Sequence, residues 1–204
     1  MAGLHARPAL MEHAGEQEGI EVRLPPPAAR MLLGLPLSEL ADRVVELEDV
    51  LGPEGRELPE RLAQTQSWAA RFDILDAALA RRMADALAPR ADMVRAWQRL
   101  RSSDGRLESN QLAAELGCSR RHLARRFREE VGLAPKTFAR VLRFGRVTRR
   151  LRGAEPGRLS ELAQECGYYD QAHLNRDFRD FAGLTPGQYT ARLMDGGLGG
   201  VSGD

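Results

Sequence analysis

The chain has 204 residues, 43% of them apolar, enough for one or two small domains with packed cores. Two cysteines exclude a disulfide framework and an all-cysteine zinc site, and no stretch approaches the ~20 apolar residues of a membrane span or forms an apolar signal core at the N-terminus; a soluble cytoplasmic protein is expected. The net charge of +1 hides an asymmetry, because residues 1–89 carry 9 basic and 15 acidic side chains while residues 90–204 carry 21 and 14, so only the second half is suited to an anionic partner.

In chain order, residues 1–35 are mixed. Met1–Gly19 reads as irregular, and its His5 and His13 with Glu12 form a weak metal-binding candidate. Ile20–Leu24 alternates apolar and polar residues like a short strand, Pro25–Pro27 forces a turn, and Arg30–Leu35 suggests a second strand. From Pro36 the pattern turns helical, with Ser38 as a cap and Leu40, Val44 and Leu47 on one face. Gly52-Pro53 interrupts it. Helices are then expected over Pro53–Thr65 and Ser67–Leu87, the second with Phe72, Leu75, Leu79 and Met83 at helical spacing. Trp68 and Trp97 are expected in a core or an interface.

The charge balance changes sign near Ala88–Arg90, which suggests a boundary between a helical region at 36–89 and a second domain at 90–194. In that second domain seven short helices are expected: Asp92–Arg101, Asn110–Leu116 capped by Ser109, Ser119–Val131, Pro135–Leu151, Ser160–Cys166, Asp170–Phe181 and Pro186–Leu193. The glycine-rich tail at 195–204 is expected to be flexible.

Within this series one unit occurs twice. Leu112–Gly117 (L-A-A-E-L-G) matches Leu162–Gly167 (L-A-Q-E-C-G), and Arg120–Phe127 (R-R-H-L-A-R-R-F) matches Gln171–Phe178 (Q-A-H-L-N-R-D-F). Both copies continue after four residues into G-L-x-P. Ala113 and Ala163 are small enough for two helices to approach closely. Gly117 and Gly167 fall where a left-handed residue must end the first helix, and Ser119 and Asp170 can cap the second. In the second helices Leu123, Phe127 and Val131, or Leu174, Phe178 and Ala182, share one face. Arg125 and Arg176 lie about 200° around from those leucines and point outward. Arg121, Arg125 and Arg128 form one outward stripe; Ala172, Arg176 and Arg179 form its counterpart. Asp177 is expected to face the same way as Arg176, where it would repel phosphate.

A helix buried on one side and arginine-rich on the other fits the major groove of DNA, where arginine donates to guanine O6 and N7 or neutralises phosphate. The alternative is a helical interaction module whose arginine faces bind an acidic protein partner. His122 and His173 are expected to be structural, Cys118 and Cys166 to pack, and Tyr168 and Tyr169 to pack the second turn. No nucleophile–base pair, phosphate loop or paired-carboxylate motif is present, so neither an enzyme nor a cofactor is expected.

These two runs, continued to L-A-A-E-L-G-C-S-R-R-H-L-A-R-R-F-R-E-E-V-G-L-A-P-K-T-F and L-A-Q-E-C-G-Y-Y-D-Q-A-H-L-N-R-D-F-R-D-F-A-G-L-T-P-G-Q-Y, resemble the AraC/XylS family of bacterial transcription regulators over residues 96 to 193. The resemblance implies a mainly α protein with a double helix-turn-helix DNA-binding domain, in which Pro135–Leu151 sets one unit relative to the other. It implies base contacts from Arg121, Ala124 and Arg125 in the first unit and from Gln171, Asn175 and Arg176 in the second. Arg120, Lys136 and Thr137 would meet phosphate. The implied partners are double-stranded DNA and RNA polymerase. Arg30–Leu87 looks like the end of a sensor domain whose β-rich barrel would precede it, so residues 1–35 would hold two remnant strands. That leaves a small-molecule effector in doubt and a homodimer through helices 38–87 as an alternative role.

Overall fold

The computed structural model describes residues 1–8, 18–153 and 158–194. The tail at 195–204 and the pair His13 and Glu12 lie outside the described residues.

Helix α1 spans Pro26–Leu33, with proline in its first turn and Gly34 at its C-terminus in the left-handed conformation (φ 69°), the Gly34 amide donating to Arg30 O at 3.2 Å. This corrects the expected strand at Arg30–Leu35. Prolines at the first helical positions need no amide donor and already hold φ near the helical value, so P-P-P starts a helix here in place of the expected turn. Ile20–Leu24 forms no strand either, and the β pairing among the described residues is one isolated antiparallel bridge, Ala2 to Val44.

The expected helix from Ser38 is also absent. One 3-10 turn covers Leu37–Glu39, and the chain then reverses through Asp42 (φ 55°). Residues 1–6 occupy the backbone groups a helix would have used. The Met1 ammonium donates to Val45 O at 2.6 Å, the Val45 amide to Met1 O at 2.8 Å, the Gly3 amide to Arg43 O at 3.1 Å, and the Ala6 amide to Asp42 Oδ1 at 2.6 Å. A Cβ on Gly3 would stand 2.0 Å from Leu40 O, so only glycine permits this approach. A contact between segments some 40 residues apart overrides local helix propensity.

Helices α2 (Leu47–Leu51), α3 (Pro53–Gln64) and α4 (Trp68–Ala84) follow; the Ser67 hydroxyl caps α4. Leu58 of α3 packs with Leu75 and Ala78 of α4. Glu54 accepts hydrogen bonds from Arg81 and Arg82, and Arg82 Nε donates to Leu32 O at 3.0 Å. These ties rotate α4 away from the expected register: Leu75 and Ala78 face inward, while Trp68, Phe72 and Met83 are 44–49% exposed.

The rest of the described chain is α5 (Ala91–Ser102), α6 (Ser109–Glu115), α7 (Arg120–Val131), α8 (Pro135–Gly153), α9 (Leu159–Glu165), α10 (Gln171–Ala182) and α11 (Pro186–Met194). Glu108, not Ser109, caps α6, in a reciprocal arrangement with Gln111. Two cores result. The first gathers Met93, Ala96 and Leu100 of α5, Leu112 and Ala113 of α6, and Leu123, Phe127 and Val131 of α7. The second gathers Leu162, Ala163, Leu174, Phe178 and Tyr189 from α9, α10 and α11. Helix α8 serves both, placing Phe138 and Ala139 in the first and Val147 and Leu151 in the second. At 19 residues it is about 28 Å long at 1.5 Å per residue, the span of a small domain.

The N-terminal segment packs on the first core: Leu4, Ala6 and Ala41 lie against it, Leu37 meets Gly132, and Arg30 pairs with Glu130 at 3.8 Å. Buried contact therefore crosses the charge boundary near residue 89.

Candidate nucleic-acid interface

Helices α6 and α7, and again α9 and α10, form two helix-turn-helix units with the same internal physics. The amides of Gly117 and Cys118 donate to Ala114 O (3.1 Å) and Ala113 O (3.0 Å); those of Gly167 and Tyr168 donate to Gln164 O (3.0 Å) and Ala163 O (2.9 Å). This doubly bonded helix end requires a left-handed residue, and Gly117 and Gly167 have φ 63° and 83°. The Ser119 hydroxyl accepts from the His122 amide at 3.2 Å and the Asp170 carboxylate from the His173 amide at 2.7 Å. Leu123, Phe127, Leu174 and Phe178 are each no more than 1% exposed. With one side of each second helix locked in a core, the opposite side is presented to solvent.

On α7 the exposed side carries Arg120, Arg121, Arg125 and Arg128, with Ala124 half-buried. Arg121, Ala124, Arg125, Arg128 and Glu129 line an open cavity of about 390 Å³ together with Ser38. Ser38 is a neighbour that spacing could not have revealed, since it arrives with the N-terminal segment. Arg125 is 57% exposed and donates to Glu129 at 3.2 Å, one turn on. Such an exposed pair is worth ~0.3–0.5 kcal/mol, little enough for an anionic ligand to displace it. Lys136 is exposed and Thr137 half-buried, both in the first turn of α8.

On α10 Gln171, Ala172, Arg176 and Arg179 are exposed and Asn175 is half-buried. Asp177 overturns its expectation. It is 1% exposed and points inward, where its Oδ1 accepts from Arg140 Nε at 3.0 Å and Nη2 at 2.7 Å. Arg140 also bonds Asp180 and lies over the Phe181 ring, 4.9 Å from its centroid. Burial works against the Arg140 charge, but the hydrogen bonds to Asp177 and Asp180 outweigh it and its pKa is raised. Its place on α10 brings Asp177 onto α8, which lies beside α10 and which the repeat alone does not locate.

The second turn also divides its tyrosines. Tyr168 is buried with its ring edge-on to His173, centroids 5.1 Å apart, and burial followed by the nearby Asp177 charge pushes its hydroxyl pKa far up. Tyr169, expected to pack the turn, is 90% exposed. Cys166 is buried, which raises its thiol pKa, in keeping with a packing role.

Further arginines tie the units together. Arg106 donates to Glu165 O at the end of α9 (2.6 Å), Arg143 to Gly105 O (2.6 Å), and Arg146 pairs with Asp104 (3.0 Å). Gly105 makes this possible: at φ 72°, any Cβ would stand 2.2 Å from Ala139 O. Part of the arginine signal in this region, Arg106, Arg140, Arg143 and Arg146, is thus structural, a division invisible to composition.

No helix among the described residues is long and apolar enough to cross a membrane. Comparison with known proteins agrees with the geometry. A helix-turn-helix domain family matches residues 112–192. The chain is 32% identical over 74 residues, 36% of its length, to proteins described as the HTH-type transcriptional activator RhaR from Yersinia pseudotuberculosis serotype O:1b (strain IP 31758) and from Yersinia pestis bv. Antiqua (strain Angola). It spans about a quarter of the length of these relatives, 25%. No solved structure matches. The matched residues 112–192 contain both helix-turn-helix units, which supports the resemblance to the AraC/XylS family.

Proposed function

We propose that this protein is a sequence-specific DNA-binding regulator of transcription whose helices α7 and α10 read two adjacent major grooves. The observation that carries the reading is the matched pair itself: two helices, each fixed in its own core by a leucine and a phenylalanine, each turning an arginine-bearing side to solvent. Arg121 and Arg125 donate to guanine edges, and Ala124 offers an apolar contact to a thymine methyl. Gln171 and Asn175 suit adenine N6 and N7, and Arg176 a further guanine. Arg120, Lys136 and Thr137 hold the phosphate backbone, which positions the protein without carrying sequence information. The relatives are described as activators of transcription, which fits this class of role.

The test is selection of bound sites from random duplex DNA, followed by affinity measurements across a range of salt. Two half-sites about one helical turn apart, with affinity falling steeply as salt rises, are the expected result. Absent or salt-insensitive DNA binding would transfer the arginine faces to an acidic protein partner.

A further inference from the structure

We propose that Arg140 and Asp177 form a lock that sets the rotation of α10 about its axis relative to the first unit, and with it the half-site spacing the protein accepts. The inference rests on the two-groove reading above and goes beyond it by naming the positioning residues. Arg140 follows directly on Phe138 and Ala139, which are buried in the first core, so its backbone is fixed to that core. Its side chain nevertheless grips the second. Two of its donors converge on one oxygen of Asp177, a third contact goes to Asp180, and the guanidinium plane is seated on Phe181. Asp177 directly follows Asn175 and Arg176, so holding its carboxylate inward holds those two side chains outward at one angle.

Stability is a poor explanation for the pair. A buried ion pair contributes little over an apolar pair of similar size, because desolvating both charges offsets their attraction. What a planar guanidinium supplies that an apolar contact does not is direction. Apolar packing between α8 and α10, through Phe144 against Phe178 and Phe181 at 4.8 and 5.4 Å, tolerates small rotations; the Arg140 contacts do not.

The experiment compares the full chain with Arg140→Met/Asp177→Leu and with Arg140→Lys, which keeps the charge but loses the two-pronged geometry. Thermal unfolding establishes that each variant is folded; if the double variant is not, Arg140→Lys carries the comparison. Affinity is measured for the selected site, for the same site lengthened by one base pair, and for the first half-site alone. In the wild type the added base pair costs roughly 100-fold, because a second unit that cannot reach its groove contributes no avidity. In the variants the penalty is expected to fall below roughly 10-fold while affinity for the first half-site is unchanged. An undiminished penalty in a folded variant overturns the lock and leaves the two-groove reading intact. Selection of a single half-site by the wild type overturns both.

Discussion

The two helix-turn-helix units share a scaffold and differ in what surrounds it. Both end their first helix on a left-handed glycine, cap their second with the residue three before a histidine, and bury the same leucine and phenylalanine. The first unit, however, has the N-terminal segment along its flank, with Ser38 beside Arg121 and Arg125. The second has the α8 lock on its inner side and Tyr169 exposed at its turn. A repeat transmits its backbone geometry faithfully, whereas the role of a charged residue within it depends on its neighbours. Arg126 and Asp177 occupy matched positions; the first sits half-buried 3.9 Å from Glu129 and the second anchors another helix.

Loss of the anchors that both units share has the largest expected effect. Phe127→Ala and Phe178→Ala each take a fully buried ring from a core, and each is expected to cost ~3–5 kcal/mol in denaturant unfolding. Near-equal losses would confirm equivalent scaffolds; a loss confined to one unit would show that only one depends on its phenylalanine. Next in size is Arg125→Ala, expected to weaken specific binding by ~1–3 kcal/mol and to relax preference in one half-site, with Arg176→Ala doing the same in the other. Equal losses on every sequence would make either residue a phosphate contact instead.

The turns offer a finer distinction. Gly117→Ala and Gly167→Ala force an L-residue into the left-handed region, at ~1–2 kcal/mol each. Gly167→Ala should cost more in thermal unfolding, since its Cβ would stand 3.1 Å from Arg106 Cγ while Gly117 has open space. The smallest effect lies outside both units. The hydrogen bond from Arg82, opposed by burial and aided by Arg81, holds the Glu54 carboxyl below its ordinary pKa. A lowered folded-state pKa stabilises at neutral pH, and that contribution is lost as pH falls below the ordinary carboxylate value and through the folded one. Glu54→Gln should flatten this acid-side loss in the melting temperature and leave DNA affinity unchanged.

Much of the C-terminal half was legible in the chain because its determinants are local. A glycine at the helix end, a capping Ser or Asp next to it and leucine–phenylalanine spacing all act within about 20 residues, and each is recognised by its own chemistry. The N-terminal part was poorly legible for the opposite reason. Pro25–Pro27 suits a turn as well as a helix start, and the local sequence does not separate the two. The helix expected from Ser38 lost its backbone groups to residues 1–6, a pairing with no sequence marker. The register of α4 followed from Arg82 reaching Glu54 and Leu32, contacts 28 and 50 residues distant.

By itself, then, the sequence determined a pair of helix-turn-helix units, the buried face of each second helix and the arginines opposite it, because periodicity and helix-end chemistry depend only on near neighbours. Tertiary structure decided which arginines face solvent and which join the two units, that Asp177 points inward, and that the N-terminal segment lies against α7. Those outcomes depend on which distant surfaces meet, and the energy of a charged side chain is set by the partner and the burial it finds there.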